Sequence, residues 1–172
     1  LYGNLRDSDH VRIFDNEDFG YRRIAVERPL RLNFAVEEAR IACLKKTTVF
    51  ANLATSKKRK DTKVAQTEIE EGRRLQEGIL TALQLAGKSI VKNRHQFAET
   101  VKEAFKKAGL MIPAALFNAI VMALAERDET ADVCTDAKGN PEPDPELRDY
   151  ENVLLKEDVG EYMKREVLPY VP

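Results

Sequence analysis

From Thr67 to Leu124 apolar residues recur three and four positions apart, a spacing that commits most of such a chain to amphipathic helices. Ile69, Leu75, Ile79, Leu83, Ala86 and Ile90 fall on one face of a helix expected over about residues 67–92. That segment is full of Glu, Gln, Arg and Leu, which favour helix, and is weakened at Gly72, Gly78 and Gly87. Phe97, Val101, Ala104, Phe105 and Ala108 share a face of the next helix, with Gly109 placed where a left-handed residue caps a C-terminus. After Leu110-Met111-Ile112, Pro113 suits the first turn of a further helix. Its apolar face is Leu116, Phe117, Ile120, Val121 and Leu124, and it is expected to end near Arg127. Upstream, Ile41 and Leu44 in a run of Ala and Glu predict a helix from Val36 to about Leu53. A last helix is predicted from about Glu157 to Val167, before Pro169.

A different period governs the stretch FGYRRIAVERPLRLNF, Phe19 to Phe34. Ile24, Val26, Leu30, Leu32 and Phe34 alternate with Arg23, Glu27, Arg31 and Asn33, as in a half-buried strand. Val11-Arg12-Ile13-Phe14 is the nearest strand candidate, and Asp15 to Asp18 with Gly20 supply turn chemistry between them, so an N-terminal β-hairpin is expected. Pro29 cannot donate to a ladder and argues for an edge. Near the other end, Pro141, Pro143 and Pro145 follow Gly139, which predicts an irregular loop, with Val133-Cys134-Thr135 and Asn152-Val153-Leu154 as flanking short strands. The expected fold class is therefore mainly α: a multi-helix bundle with a short N-terminal β-hairpin and an irregular Pro-rich loop or small hairpin before the last helix. The expected division is residues 1–34, then a helical module at 35–172 with an acidic Pro-rich segment at 128–155.

Of 172 residues, 43% are hydrophobic and 33% charged, which suits a folded chain, and no apolar run approaches the roughly 20 residues of a membrane span. Opening on Leu1 without a basic-then-apolar leader, the chain reads as an internal piece of a longer, cytoplasmic polypeptide. Cys43 and Cys134 lack any metal-ligand or redox spacing and read as buried thiols. A net charge of −1 removes the overall basic footprint of an autonomous nucleic-acid binder. Two local clusters remain as candidate contacts for DNA or a partner: Lys57, Lys58, Arg59 and Lys60, and the strand-associated Arg22, Arg23, Arg28 and Arg31, whose guanidiniums suit carboxylate or phosphate.

Catalytic patterns are missing. No two of the eight glycines stand two residues apart, so neither a GxGxxG nor a Walker loop is present. His10 and His95 are isolated, and the acidic run Glu126 to Asp132 lacks calcium-loop spacing and reads as a solvated face. No catalytic, cofactor-binding or metal-ligating residue is expected.

Three blocks carry a resemblance: DNEDFGYRRIAVERPLRLNF at Asp15 to Phe34, ERDETADVC with DAKGNPEPDPELRDYENV from Glu126 to Val153, and LKEDVGEYMKREVLPYVP at Leu155 to Pro172. Together they resemble the modification subunit of type I restriction-modification systems, an adenine-N6 DNA methyltransferase family. The resemblance is weak in the helices between Val36 and Ala125. It implies a parent protein that uses S-adenosylmethionine and works with a DNA-specificity subunit, a second modification subunit and a restriction subunit, reaching DNA through the assembled complex. The family's Asn-Pro-Pro-aromatic catalytic loop has no counterpart, since Asn140-Pro141-Glu142-Pro143 has Glu142 at the second proline and no aromatic after it. The glycine-containing cofactor motif is also missing. Both lie upstream in the family, so the chain is expected to be a C-terminal portion that holds no cofactor and serves assembly, with 1–34 the end of the methyltransferase domain. The alternative from the helix order is a winged helix-turn-helix DNA-binding module spanning Phe97 to Val153.

Overall fold

In the computed structural model, which describes residues 12–56 and 62–170, Pro29 divides the alternating stretch in two. Its first half is β1 (Tyr21–Val26) and its second half is β2 (Leu32–Phe34), and the two strands find different partners. The chain forms two units: Leu1–Pro29 with Pro143–Pro172, and Leu30–Glu142. The cuts therefore fall after residues 29 and 142, where the sequence suggested one after 34, because β2 belongs to the helical core and the last part of the Pro-rich segment to β1.

In the helical unit β2 is the centre of a small sheet. It pairs antiparallel with β3 (Ala125–Arg127), Leu32 opposite Arg127 and Phe34 opposite Ala125. On its other side Phe34 and Val91 exchange both backbone hydrogen bonds at 2.8 Å. Phe34 is fully buried and its ring stacks on Phe97 at 5.3 Å between centroids.

Around that sheet stand α1 (Glu38–Lys46), α2 (Thr48–Ala51), α3 (Thr62–Leu85), α4 (Arg94–Lys107) and α5 (Ala114–Ala123). They enclose a core that includes Leu44, Phe50, Ile79, Leu83, Val101, Ile120 and Leu124. The described residues are mainly helical, as the apolar spacing predicts. The helix expected over 36–53 breaks at Thr47, whose backbone is extended and whose hydroxyl caps α2 at the Phe50 N–H. The expected 67–92 helix starts earlier, at Thr62, and stops at Leu85, since the pairing of Val91 with Phe34 requires extended backbone there. α4 begins on an Asn93 cap, the side chain accepting from Gln96 N at 3.0 Å. Gly109, with φ +68, ends it as expected, and Leu110 N reaches back to Phe105 O at 2.9 Å. Pro113 precedes α5, which yields to β3 at Ala125 rather than continuing to Arg127.

In the other unit the expected hairpin partner is corrected. Val11 lies outside the described residues and Arg12 to Phe14 form no strand; β1 pairs instead with β4 (Asp149–Leu154), Tyr21 opposite Leu154 and Val26 opposite Asp149. The cause is visible at both ends of the ladder. Asp144 N donates to Arg28 O at 2.8 Å where Pro29 bridges Pro143, and at the far end Leu155 N donates to Gly20 O at 3.1 Å. Residues 15–20 form a 3-10 turn (Asn16–Phe19) whose Asp15 and Asp18 hold Lys156 at 3.0 and 2.8 Å. The predicted last helix resolves into a short α6 (Val159–Tyr162), a π-helical turn at Met163–Val167 and a 3-10 turn at Leu168–Tyr170. Among the described residues no helix is long and apolar enough to cross a membrane.

Candidate functional site

Lys57 to Lys60 lie outside the described residues. Arg22 and Arg23 are adjacent on β1 and so project from opposite faces of its ladder. Arg23 lies over the Tyr150 ring at 4.2 Å, a cation–π contact between diagonal neighbours on one face, and Arg22 donates to Leu155 O at 3.4 Å. Arg28 is half-buried beside the Pro29–Pro143 bridge. In the helical unit Arg31 turns inward and donates to Ala131 O at 2.7 Å.

The arginines that organise the helical unit are two others, Arg40 and Arg94. Arg40, on α1, is 4% exposed. Its Nη1 donates to Leu124 O at 3.0 Å, at the end of α5, and its Nη2 donates to Asn33 Oδ1 at 2.7 Å and to Glu126 at 2.8 Å. One guanidinium thus ties α1 to the carboxyl end of α5 and to both strands of the β2–β3 pair, where a cation also answers the helix dipole. The available signal was a lone Arg four residues before Leu44 on the inward face of a short helix.

Arg94 opens α4 and grips Glu142 with both terminal nitrogens, at 2.8 and 2.5 Å, while Nη2 also donates to Thr135 O at 2.5 Å. The Glu142 carboxylate holds the Arg94 guanidinium above its ordinary pKa. Two elements far apart in sequence, the start of α4 and the loop after Cys134, are closed onto each other by this fork. Asp136 closes the loop itself, accepting from Asn140 N at 2.9 Å and Lys138 N at 2.8 Å, with the Asn140 amide at 3.2 Å. Those donors, the Asn140 backbone first, hold its carboxyl below the usual range.

Next to this fork is a cleft of about 480 Å³ walled by the start of α4, by α5 and by residues 133–137. His95, Asn118 and Cys134 line it. Cys134 is buried as expected, and burial pushes its thiol up, so it stays protonated at neutral pH, whereas Cys43 is exposed because Arg40 and Leu44 take the buried positions of α1. Asn140 and Glu142 of the Asn-Pro-Glu-Pro run are both engaged in holding the loop. The cleft opens along α4 into a second depression of about 650 Å³, floored by Ala98, Phe105 and Phe117 and rimmed by Lys102 and Lys106. Among the described residues no group of three His, Cys, Asp or Glu side chains is placed to hold a metal ion.

A second junction sits where β3 ends. Asp128 accepts from the Thr130 hydroxyl at 2.6 Å, from Asn33 at 3.1 Å and from Thr130 N at 2.9 Å, and Lys92 reaches the same Thr130 hydroxyl at 2.6 Å. These donors, the Thr130 hydroxyl foremost, hold the Asp128 carboxyl down at about 2. A depressed folded pKa means that the unfolded chain takes up the proton first as pH falls. The stabilisation is fully present above about pH 4 and is lost on acidification towards about pH 2. Denaturation midpoints measured across that window are expected to fall more steeply for the natural chain than for Asp128→Asn, which also has a lower midpoint at pH 7.

Compared with known proteins, the chain matches no family model, no curated protein and no solved structure.

Proposed function

We propose that this chain is the C-terminal part of a type I restriction-modification DNA adenine methyltransferase subunit, a multi-helix assembly module without catalytic machinery of its own. The resemblance of the three long sequence blocks supports the family. In this reading the full-length cytoplasmic parent transfers the methyl group from S-adenosylmethionine to adenine N6. The module contacts the DNA-specificity subunit, the second modification subunit or the restriction subunit, and meets DNA only through the assembled complex.

The observation that carries an assembly role is the surface of α5. Its sequence, AALFNAIVMA, has no charged residue, and its exposed positions are Ala114, Ala115, Asn118 and Met122, next to a Met111 that is 96% exposed. A helix face without cations, apolar but for Asn118, suits a protein partner better than a phosphate backbone.

The winged helix-turn-helix is the second reading. α4, the Gly109 turn, α5 and β3 keep its order, with β2 and Val91 completing a small sheet. The helix that would enter the major groove is α5, and its lack of cations disfavours that use. Two titrations separate the readings: no heat with S-adenosylmethionine and no duplex band shift at about 0.15 M salt support the assembly module. Cofactor binding overturns it, and a band shift that weakens steeply with salt favours the DNA-binding module.

A further inference from the structure

The cleft beside Arg94 and the depression beside Lys106 share Ala98, Phe117 and Asn118. They are one trough running along α4, which at about 1.5 Å per residue is roughly 20 Å long. Ala98, Gly109 and Ala114 also line it and add little bulk, so that another backbone can come close. Phe117 supplies a broad wall, and Met111 at the lip offers an unbranched side chain that conforms to irregular apolar surfaces.

At the wider end of the trough the lining charges are of one sign. Lys106 and, one helical turn before it, Lys102, which also pairs with Glu99 at 2.7 Å, stand on the rim of the wider end, and no carboxylate lines that end. In the narrower end the Glu142 carboxylate is neutralised by Arg94, and Asp136 is satisfied by its own loop. A second copy presenting the same face would set lysine against lysine. A nucleic acid would meet an apolar floor and an uncharged α5.

We infer that this trough receives an amphipathic α-helix from a partner protein, with small or leucine-like residues at i, i+3, i+4 and i+7 against Phe117 and Met111 and with Glu or Asp on the flank facing Lys102 and Lys106. The inference rests on the assembly reading and names the chemistry of the segment bound.

The test uses the whole 172-residue chain and two labelled helical peptides of roughly five turns, with the same leucine stripe and either Glu or Lys on the flank. By fluorescence anisotropy the Glu peptide should bind about tenfold or more tightly than its Lys twin. Met111→Asp, at a position 96% exposed and so harmless to the fold, should weaken the Glu peptide about tenfold. Lys106→Glu, which leaves the Lys102–Glu99 pair intact, should narrow the preference between the two peptides severalfold. Equal affinity for both peptides, no binding of either, or binding indifferent to Met111→Asp overturns the inference. Loss of the peptide result alone leaves the assembly reading standing, whereas heat with S-adenosylmethionine removes the reading beneath it.

Discussion

Replacing Gly72 by alanine should destabilise the helical unit by about 3 kcal/mol, although the same change in an open helix would add up to about 1 kcal/mol of stability. Gly72 lies inside α3, where the turn at Asn52–Ala54 crosses it. A Cβ there would sit 1.8 Å from Leu53 O and 2.5 Å from its carbonyl carbon, a clash with backbone that no rotamer relieves. One turn further on, Gln76 donates to Phe50 O at 2.6 Å, so the same face of α3 holds this segment through a hydrogen bond. An alanine at 72 must push the two apart, loosening that bond and the burial of Phe50. Urea unfolding of Gly72→Ala should show a large drop in midpoint with an unchanged slope. Gly87→Ala, where no atom lies within 4 Å of the added carbon, carries only the cost of its φ of +87 and should be milder.

Arg40→Met should cost a similar amount, about 3 kcal/mol, by another route. Methionine fills much of the same space, so packing is largely kept. What remains behind is a buried Leu124 carbonyl that keeps only the Ala35 N–H, at 3.2 Å, and an Asn33 Oδ1 that has lost its guanidinium donor. Glu126 contributes less, because its side chain is 62% exposed and rehydrates when the ion pair is lost. Glu126→Gln should therefore change stability by only about 0.5 kcal/mol, and Arg40→Lys should behave more like Arg40→Met, since a single ammonium cannot span the fork. An Arg40→Met midpoint equal to that of Glu126→Gln would show that the salt bridge, and not the buried carbonyl, holds α1 to α5.

These two sites mark where the sequence was readable and where it was not. The helices from Thr62 to Ala123 follow from local spacing, and the Gly109 cap from a conformational need that only glycine meets easily. Pairings between segments far apart in sequence left no such local mark. The alternation from Ile24 to Phe34 is correct for strands, but it says nothing about partners 123 residues or more away from β1, and the nearest candidate, Val11 to Phe14, was the natural and mistaken choice. Gly72 read as a weakness of its helix because a close approach by another backbone cannot be seen from within that helix. Arg40 and Arg94 were passed over in favour of clustered cations, since clusters stand out in a sequence while a single arginine is informative only once its acceptors are known. In the Asn-Pro-Glu-Pro run the departure from the methylase loop was legible, but the use of Glu142 as the partner of Arg94 was not.

In the proposed assembly role the chain makes protein contacts on behalf of a methyltransferase and leaves the chemistry to the rest of the parent. The most direct test of that role is size-exclusion chromatography of the chain mixed with the DNA-specificity subunit of its own system, at about 0.15 M salt so that loose electrostatic association is screened. The two are expected to elute together, earlier than either alone, with the shared peak diminished by Met111→Asp. Elution of the chain at its own volume, with the specificity subunit unchanged beside it, would contradict that role.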